Sequence, residues 1–242
     1  MGAPPDPPAS AIRTDTAPKL APAARSASLG TRLRRLAADA LPRAVMVRRG
    51  VGRAKRVALT FDDGPDDTTD QYLEVLQRFG ARATFFVVGT ACVARRDALL
   101  RMVAHGHEVA GHGFTHQAFT RMTASALLEE LRHTARLLPP VPAGRPLVRP
   151  PTGATSLRSL ALTAQAGYTT VLWSRDSDDC RTMSPEVVEQ RLAPEALSPG
   201  DIVLLHEAQA WTLAALPRIL QNLTTAGWQT VTVSEILKPT DS

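Results

Sequence analysis

From Arg56 onward the sequence alternates short apolar runs with segments of helical periodicity, and this rhythm narrows the fold more than any other feature. Seven runs read as strands: Val57 to Phe61, Ala83 to Val88, Val109 to Ala110, Pro146 to Arg149, Thr169 to Trp173, Ile202 to Leu205 and Thr230 to Val233. Between them Leu127, Leu128, Leu131, Ala135 and Leu138 share one helical face, and Ser184 followed by Pro185 marks a helix start. Repeated strand–helix units imply a parallel sheet. With 242 residues, 44% of them apolar, one well-filled α/β domain is expected.

Charge divides the chain unevenly. Twelve of the 28 Lys and Arg, but only three of the 23 acids, lie in residues 1–56, leaving 16 basic against 20 acidic residues in the remainder. The overall charge of +5 therefore belongs to an arm, which argues against nucleic acid as a partner. Residues 1–30 are rich in Pro, Ala, Ser and Thr and have too little apolar surface to offset the entropy of ordering, so a disordered arm is expected. Residues 31–55 read as a basic amphipathic helix and connector, with Leu33, Leu36, Ala37, Ala40 and Leu41 on one face and Pro42 as the stop. Packing on the outside of the domain is the favoured reading of 31–49, with peripheral membrane contact as the alternative. The domain proper is placed at 56–238, followed by a tail at 239–242. Cys92 and Cys180 are too few for a disulfide framework or a Cys-rich zinc site. The N-terminus lacks the apolar stretch of a secretory signal and no run of 18 apolar residues occurs, so a cytoplasmic, monomeric protein is expected.

In a parallel α/β barrel, chemistry sits where strands end at their carboxyl side. After the first run comes Thr60-Phe61-Asp62-Asp63-Gly64-Pro65, whose adjacent carboxylates point in different directions and can take different tasks. Forty-nine residues beyond Asp63 stands His112-Gly113-Phe114-Thr115-His116, whose imidazoles, four apart, can share one side of a helical turn. Asp63, His112 and His116 offer three ligands with room for water, the arrangement of a catalytic rather than a structural zinc site. Later strand ends carry Arg149-Pro150-Pro151-Thr152-Gly153, then Asp176 to Asp179, then Leu204-Leu205-His206-Glu207. An aspartate and a histidine on neighbouring strand ends suggest an oriented acid.

Thr60 to Pro65 followed by Ala83-Thr84-Phe85-Phe86-Val87-Val88-Gly89 resembles the opening of polysaccharide deacetylases, the carbohydrate esterase group with the NodB-type fold, and the resemblance runs from about Arg56 to Leu237. It implies a distorted (β/α)7 barrel and a divalent metal, usually zinc with cobalt or nickel as alternatives, held by Asp63, His112 and His116. It further implies Asp62 as general base oriented by Arg149, His206 as general acid oriented by Asp179, Leu204 as the apolar residue of a Leu-x-His motif, and the Thr152 backbone N–H as a donor to the developing oxyanion. The implied reaction removes N-acetyl groups from amino sugars of chitooligosaccharide, peptidoglycan or a related glycan. Two alternatives remain: a deacetylase or deformylase of a small nucleotide-linked or lipid-linked amino sugar, and a catalytically inactive carbohydrate-binding barrel.

Three positions depart from the family pattern: Gly113 replaces Ser or Thr, Thr152 stands where an aromatic often sits, and Cys180 replaces Trp. Loss of aromatic faces weakens stacking on sugar rings, so extended chitin-like chains are less firmly implied than the reaction. His105, His107 and His133 are assigned structural or solvent roles, and Asp66, Asp67 and Asp70 a solvated helix start.

Overall fold

A computed structural model describes residues 41–140 and 144–239. The proposed arm at 1–30 and most of the helix proposed before Pro42 lie outside the described residues. Among the described residues nine strands form one sheet: β1 Met46–Val47, β2 Arg56–Asp62, β3 Ala83–Val87, β4 Glu108–Gly111, β5 Leu147–Val148, β6 Thr169–Val171, β7 Arg175–Asp176, β8 Ile202–His206 and β9 Gln229–Thr230. Their order is β1-β6-β5-β4-β3-β2-β8-β7, with β9 also on β2, and every strand pair is parallel.

The row curls on itself. Arg49, just past β1, bridges to Asp201, just before β8, and the Ser174 amide donates to the Ile202 carbonyl, so the two ends of the row are joined. This is the distorted parallel barrel expected from the resemblance. Parallel strands covered on both sides read as continuous apolar runs, and β2 is buried at all seven positions. Val57, Leu59 and Phe61 face the outer helices, packing with Tyr72, Leu76 and Leu216, whereas Ala58 faces the barrel interior with Phe86, Val171, Ile202 and Val233. The same inward face continues upward as Thr60 and Asp62, so the lumen is apolar at one end and polar at the carboxyl end.

Several elements differ from their sequence reading. Met46–Val47, assigned to a connector, pairs with β6, so the sheet extends upstream of Arg56. The run Thr230 to Val233 is only briefly a strand; Thr232 caps a helix over Val233–Ile236 instead, accepting from the Glu235 amide while the Glu235 side chain accepts from the Thr232 amide, and that helix closes the apolar end. Leu128 is exposed although Leu127 and Leu131 on the helix Ala124–Ala135 are buried. No helix among the described residues is long and apolar enough to cross a membrane.

Candidate active site

Two groups of side chains meet at the carboxyl end of β2. The first surrounds Asp63. Its backbone has φ 77°, which turns the chain sharply, and its carboxylate reaches both His112 and His116. Asp63 Oδ1 lies 3.0 Å from His116 Nε2 and 3.5 Å from His112 Nε2. The two histidines do not share a helix, as their spacing had suggested. They sit on a loop leaving β4 that bends through positive φ at Gly113 and His116, and their ring centroids are 5.1 Å apart. Glu130 holds that loop by accepting hydrogen bonds from the amides of Phe114 and Thr115 and from the Thr115 hydroxyl, at 2.6, 2.9 and 2.8 Å.

His112 Nδ1 lies 2.9 Å from the Arg149 carbonyl, which can only accept, so Nδ1 carries the proton and Nε2 turns a lone pair toward Asp63. The ligand atoms of Asp63, His112 and His116 all lie within 4.8 Å of one another. One carboxylate and two imidazoles converging on a single point form a donor set suited to a first-row divalent ion, and lone pairs facing each other at this range call for a cation between them. Burial pushes the Asp63 carboxyl up, but when the rings of His112 and His116 are protonated their hydrogen bonds and charge outweigh it, holding the group well below the usual carboxylate range. The hydrogen bond with Asp63 raises His116 above its ordinary value against the opposing effect of burial.

The second group consists of two oriented side chains. Asp62 Oδ1 accepts from Arg149 Nη1 at 2.6 Å, and Oδ2 faces His112 Nε2 at 3.7 Å. Arg149 is fully buried; it also donates to Thr60 Oγ1 at 2.7 Å, and its guanidinium carbon stands 4.1 Å from the Phe86 ring centroid. On β8, in register with Asp62, His206 Nδ1 donates to Asp179 Oδ1 at 2.8 Å, and the His206 amide donates to Asp179 Oδ2. Thr212 Oγ1 donates to the same oxygen at 2.9 Å, and Trp211 Nε1 donates to the Asp179 carbonyl at 2.6 Å. Burial lowers the His206 pKa, yet the hydrogen bond and charge of Asp179, with the charges of Asp62 and Asp63, raise it overall. Asp179, Cys180 and His206 also lie close enough to hold an ion, but both Asp179 oxygens are already engaged and Cys180 is exposed.

Leu204 is buried on β8, on the same face as His206 and in register with Thr60. Thr152 adopts φ 61° in a short 3-10 turn after Pro150 and is exposed at the mouth. All nine residues singled out from the sequence thus lie on the strands or connecting loops at one end of the barrel. Sequence reasoning gave no role to Thr60, although it opens the Thr60 to Pro65 motif, and missed Glu130, Trp211 and Thr212, which also position others. These last three stand in no distinctive motif, and Glu130 and Thr212 act across 15 to 33 residues of chain, so no local signal could have revealed them.

Comparison with known proteins agrees in fold and sequence. A sequence model of the polysaccharide deacetylase family matches residues 49–171. A peptidoglycan-N-acetylglucosamine deacetylase of Bacillus cereus is 36% identical over 191 residues, covering 76% of this chain and 89% of that protein. A peptidoglycan-N-acetylmuramic acid deacetylase of Bacillus subtilis, PdaC, is 33% identical over 184 residues, covering 75% of this chain but only 38% of that longer protein. A solved structure described as T48 deacetylase with substrate superposes with a TM-score of 0.71 at 33% identity, covering 78% of this chain and 93% of the other.

Proposed function

The chain belongs to the polysaccharide deacetylase family, and on that premise we propose that it hydrolyses the N-acetyl amide of an amino-sugar glycan, such as peptidoglycan or chitooligosaccharide, to acetate and a free amine. The observation that carries the reading is the pairing of two oriented side chains, Asp62 on Arg149 and His206 on Asp179, on adjacent strands beside a cluster of Asp63, His112 and His116.

Asp63, His112 and His116 would hold one divalent ion, for which their oxygen and nitrogen donors favour zinc, with cobalt or nickel compatible. Such an ion supplies Lewis acidity, acidifying water and polarising a carbonyl oxygen. Asp62, fixed through Oδ1 by Arg149, has Oδ2 turned toward the cluster and takes the proton of the attacking water as general base. His206, kept protonated by Asp179, delivers a proton to the departing amine, a poor leaving group otherwise. The backbone N–H of Thr152, in a turn that follows two prolines, serves as donor to charge developing on the amide oxygen, and a donor fixed in advance needs no reorganisation. Leu204 forms an apolar wall next to His206. The catalytic unit on this reading spans 56–238 together with the strand at Met46–Val47.

Acetate release from N-acetylated peptidoglycan fragments and chitooligosaccharides, measured alongside metal content, tests the proposal. Stoichiometric metal without turnover on any acetylated sugar would overturn it in favour of a binding barrel.

A further inference from the structure

Beside His116 the barrel mouth opens into a cavity of about 390 Å³ whose walls include Gln117, Thr120, Arg121 and Thr152. Among the described residues no carboxylate and no Phe, Tyr or Trp lines it. Where relatives of this family often present an aromatic, Thr152 offers only a hydroxyl and a methyl, so a sugar entering here is recognised by polar contacts rather than by stacking.

Among the described residues Arg121 is the one permanent charge on this wall. Its backbone is anchored on both sides, by Phe119 at 1% exposure and Met122 at 6%, within the 3-10 turn Phe119–Arg121. The guanidinium itself has no hydrogen bond or ion pair among the described residues. Several other arginines are engaged: Arg95 with Asp67, Arg181 and Arg191 with Asp178, and Arg158 with the Met122 carbonyl. Residues 57–242 are acidic on balance, with 16 basic against 20 acidic groups, so an uncompensated cation here runs against the trend of the domain. A guanidinium fork on a held backbone, with amide and hydroxyl groups beside it, matches the planar two-oxygen geometry of a carboxylate.

We propose that this cavity is a subsite for a carboxylate carried by the glycan, on the acetylated sugar or on its immediate neighbour, with Arg121 as the specificity-determining residue. The inference rests on the deacetylase reading for its substrate and names the substrate class as anionic amino-sugar glycans. Two sources of the carboxylate share this chemistry: the lactyl ether of a muramic residue and the acid group of a hexuronic residue.

The test compares each carboxylate-bearing N-acetylated oligosaccharide with its own methyl ester, which keeps the shape and removes the charge. Acetate release gives the ratio of kcat/KM for acid over ester, and calorimetry on the metal-loaded Asp62→Asn protein gives the ratio of affinities without turnover. In the wild type at least one source should favour the acid by roughly threefold to tenfold, expressed in KM and weakened by salt. Arg121→Gln should bring that ratio to about one, Arg121→Glu should invert it, and Arg121→Lys should retain part of it, since an ammonium keeps charge but loses the fork. Arg136→Gln, on an exposed helix end away from the cavity, should leave the ratio as in the wild type. A ratio near one for both sources in the wild type, or a preference that survives Arg121→Gln, would overturn the subsite. If no acetate is released from any substrate while calorimetry still shows an Arg121-dependent preference, the deacetylase reading falls and the subsite stands.

Discussion

Asp62 and Arg149 form a buried ion pair, Oδ1 to Nη1 at 2.6 Å, with Asp62 3% exposed and Arg149 fully enclosed. Such a pair contributes little net stability while intact, because both charges have lost their water, but loss of one partner strands the other. Arg149→Leu is therefore expected to lower unfolding free energy by ~3–5 kcal/mol, and Asp62→Asn in that background should restore part of the loss. Urea unfolding of the two single variants and the double variant checks this; strictly additive effects would mean that the two side chains act separately.

Asp62 and Asp63 are adjacent in sequence and both face His112, yet only Asp62 is held by Arg149 and only Asp63 reaches His116, so their variants should separate. Asp63→Ala, His112→Ala and His116→Ala are expected to lose bound metal. Asp62→Asn should keep it and lose kcat by roughly 100-fold or more, as removal of a general base does. Elemental analysis paired with acetate release distinguishes the cases, and loss of metal in Asp62→Asn would reassign the two carboxylates.

Much of this arrangement was legible from the sequence because strand ends in a parallel barrel are functional positions and the apolar runs marked them. Asp62 could be placed at the mouth from the single run that precedes it. The exceptions share a cause. The His112–His116 spacing fits a helical turn, but positive φ at Gly113 and His116 and the three hydrogen bonds to Glu130 impose a loop, and a tertiary anchor of that kind leaves no local pattern. Met46–Val47 escaped notice because a two-residue strand has no periodicity; it is a strand only through its partner Thr170–Val171. Val231 and Val233 look like strand residues, yet they belong to the interior apolar cluster, and the Thr232 cap starts a helix between them.

His206 carries a pH prediction. Burial lowers its pKa and Asp179 more than compensates, so the protonated form persists above the ordinary histidine range. The rate, which requires that proton, should fall as pH rises through the raised value. Asp179→Asn removes the compensating charge and should move this alkaline limb to lower pH, while His206→Gln should abolish the limb along with most of the activity. The same shift adds stability that is fully present below the unfolded value and is lost as pH rises through the folded one. An alkaline limb unchanged in Asp179→Asn would assign the proton to another group.

His107 makes the opposite prediction, far from the chemistry. It is 5% exposed; its Nδ1 accepts from the Ala83 amide at 3.2 Å, and its ring meets Phe85 edge-on at 5.4 Å between centroids. Accepting through Nδ1 commits the neutral ring to carry its proton on Nε2, and Nε2 has no partner among the described residues. A second proton would have to enter at Nδ1, breaking the hydrogen bond to Ala83 and charging a ring without water. Burial, helped by the nearby charge of His105, accordingly pushes the pKa down to about 4. Because the folded value lies below the unfolded one near 6.5, the stabilisation is present above 6.5 and is lost as pH falls toward 4, by at most about 3 kcal/mol. His107→Asn keeps an acceptor near the Nδ1 position and cannot titrate. Its unfolding free energy should start lower at pH 7, because ring volume is lost, but decline less than the wild type between pH 6.5 and 4.5. Parallel decline of the two proteins would show that His107 is not a source of acid sensitivity and that its proton equilibrium is the same folded and unfolded.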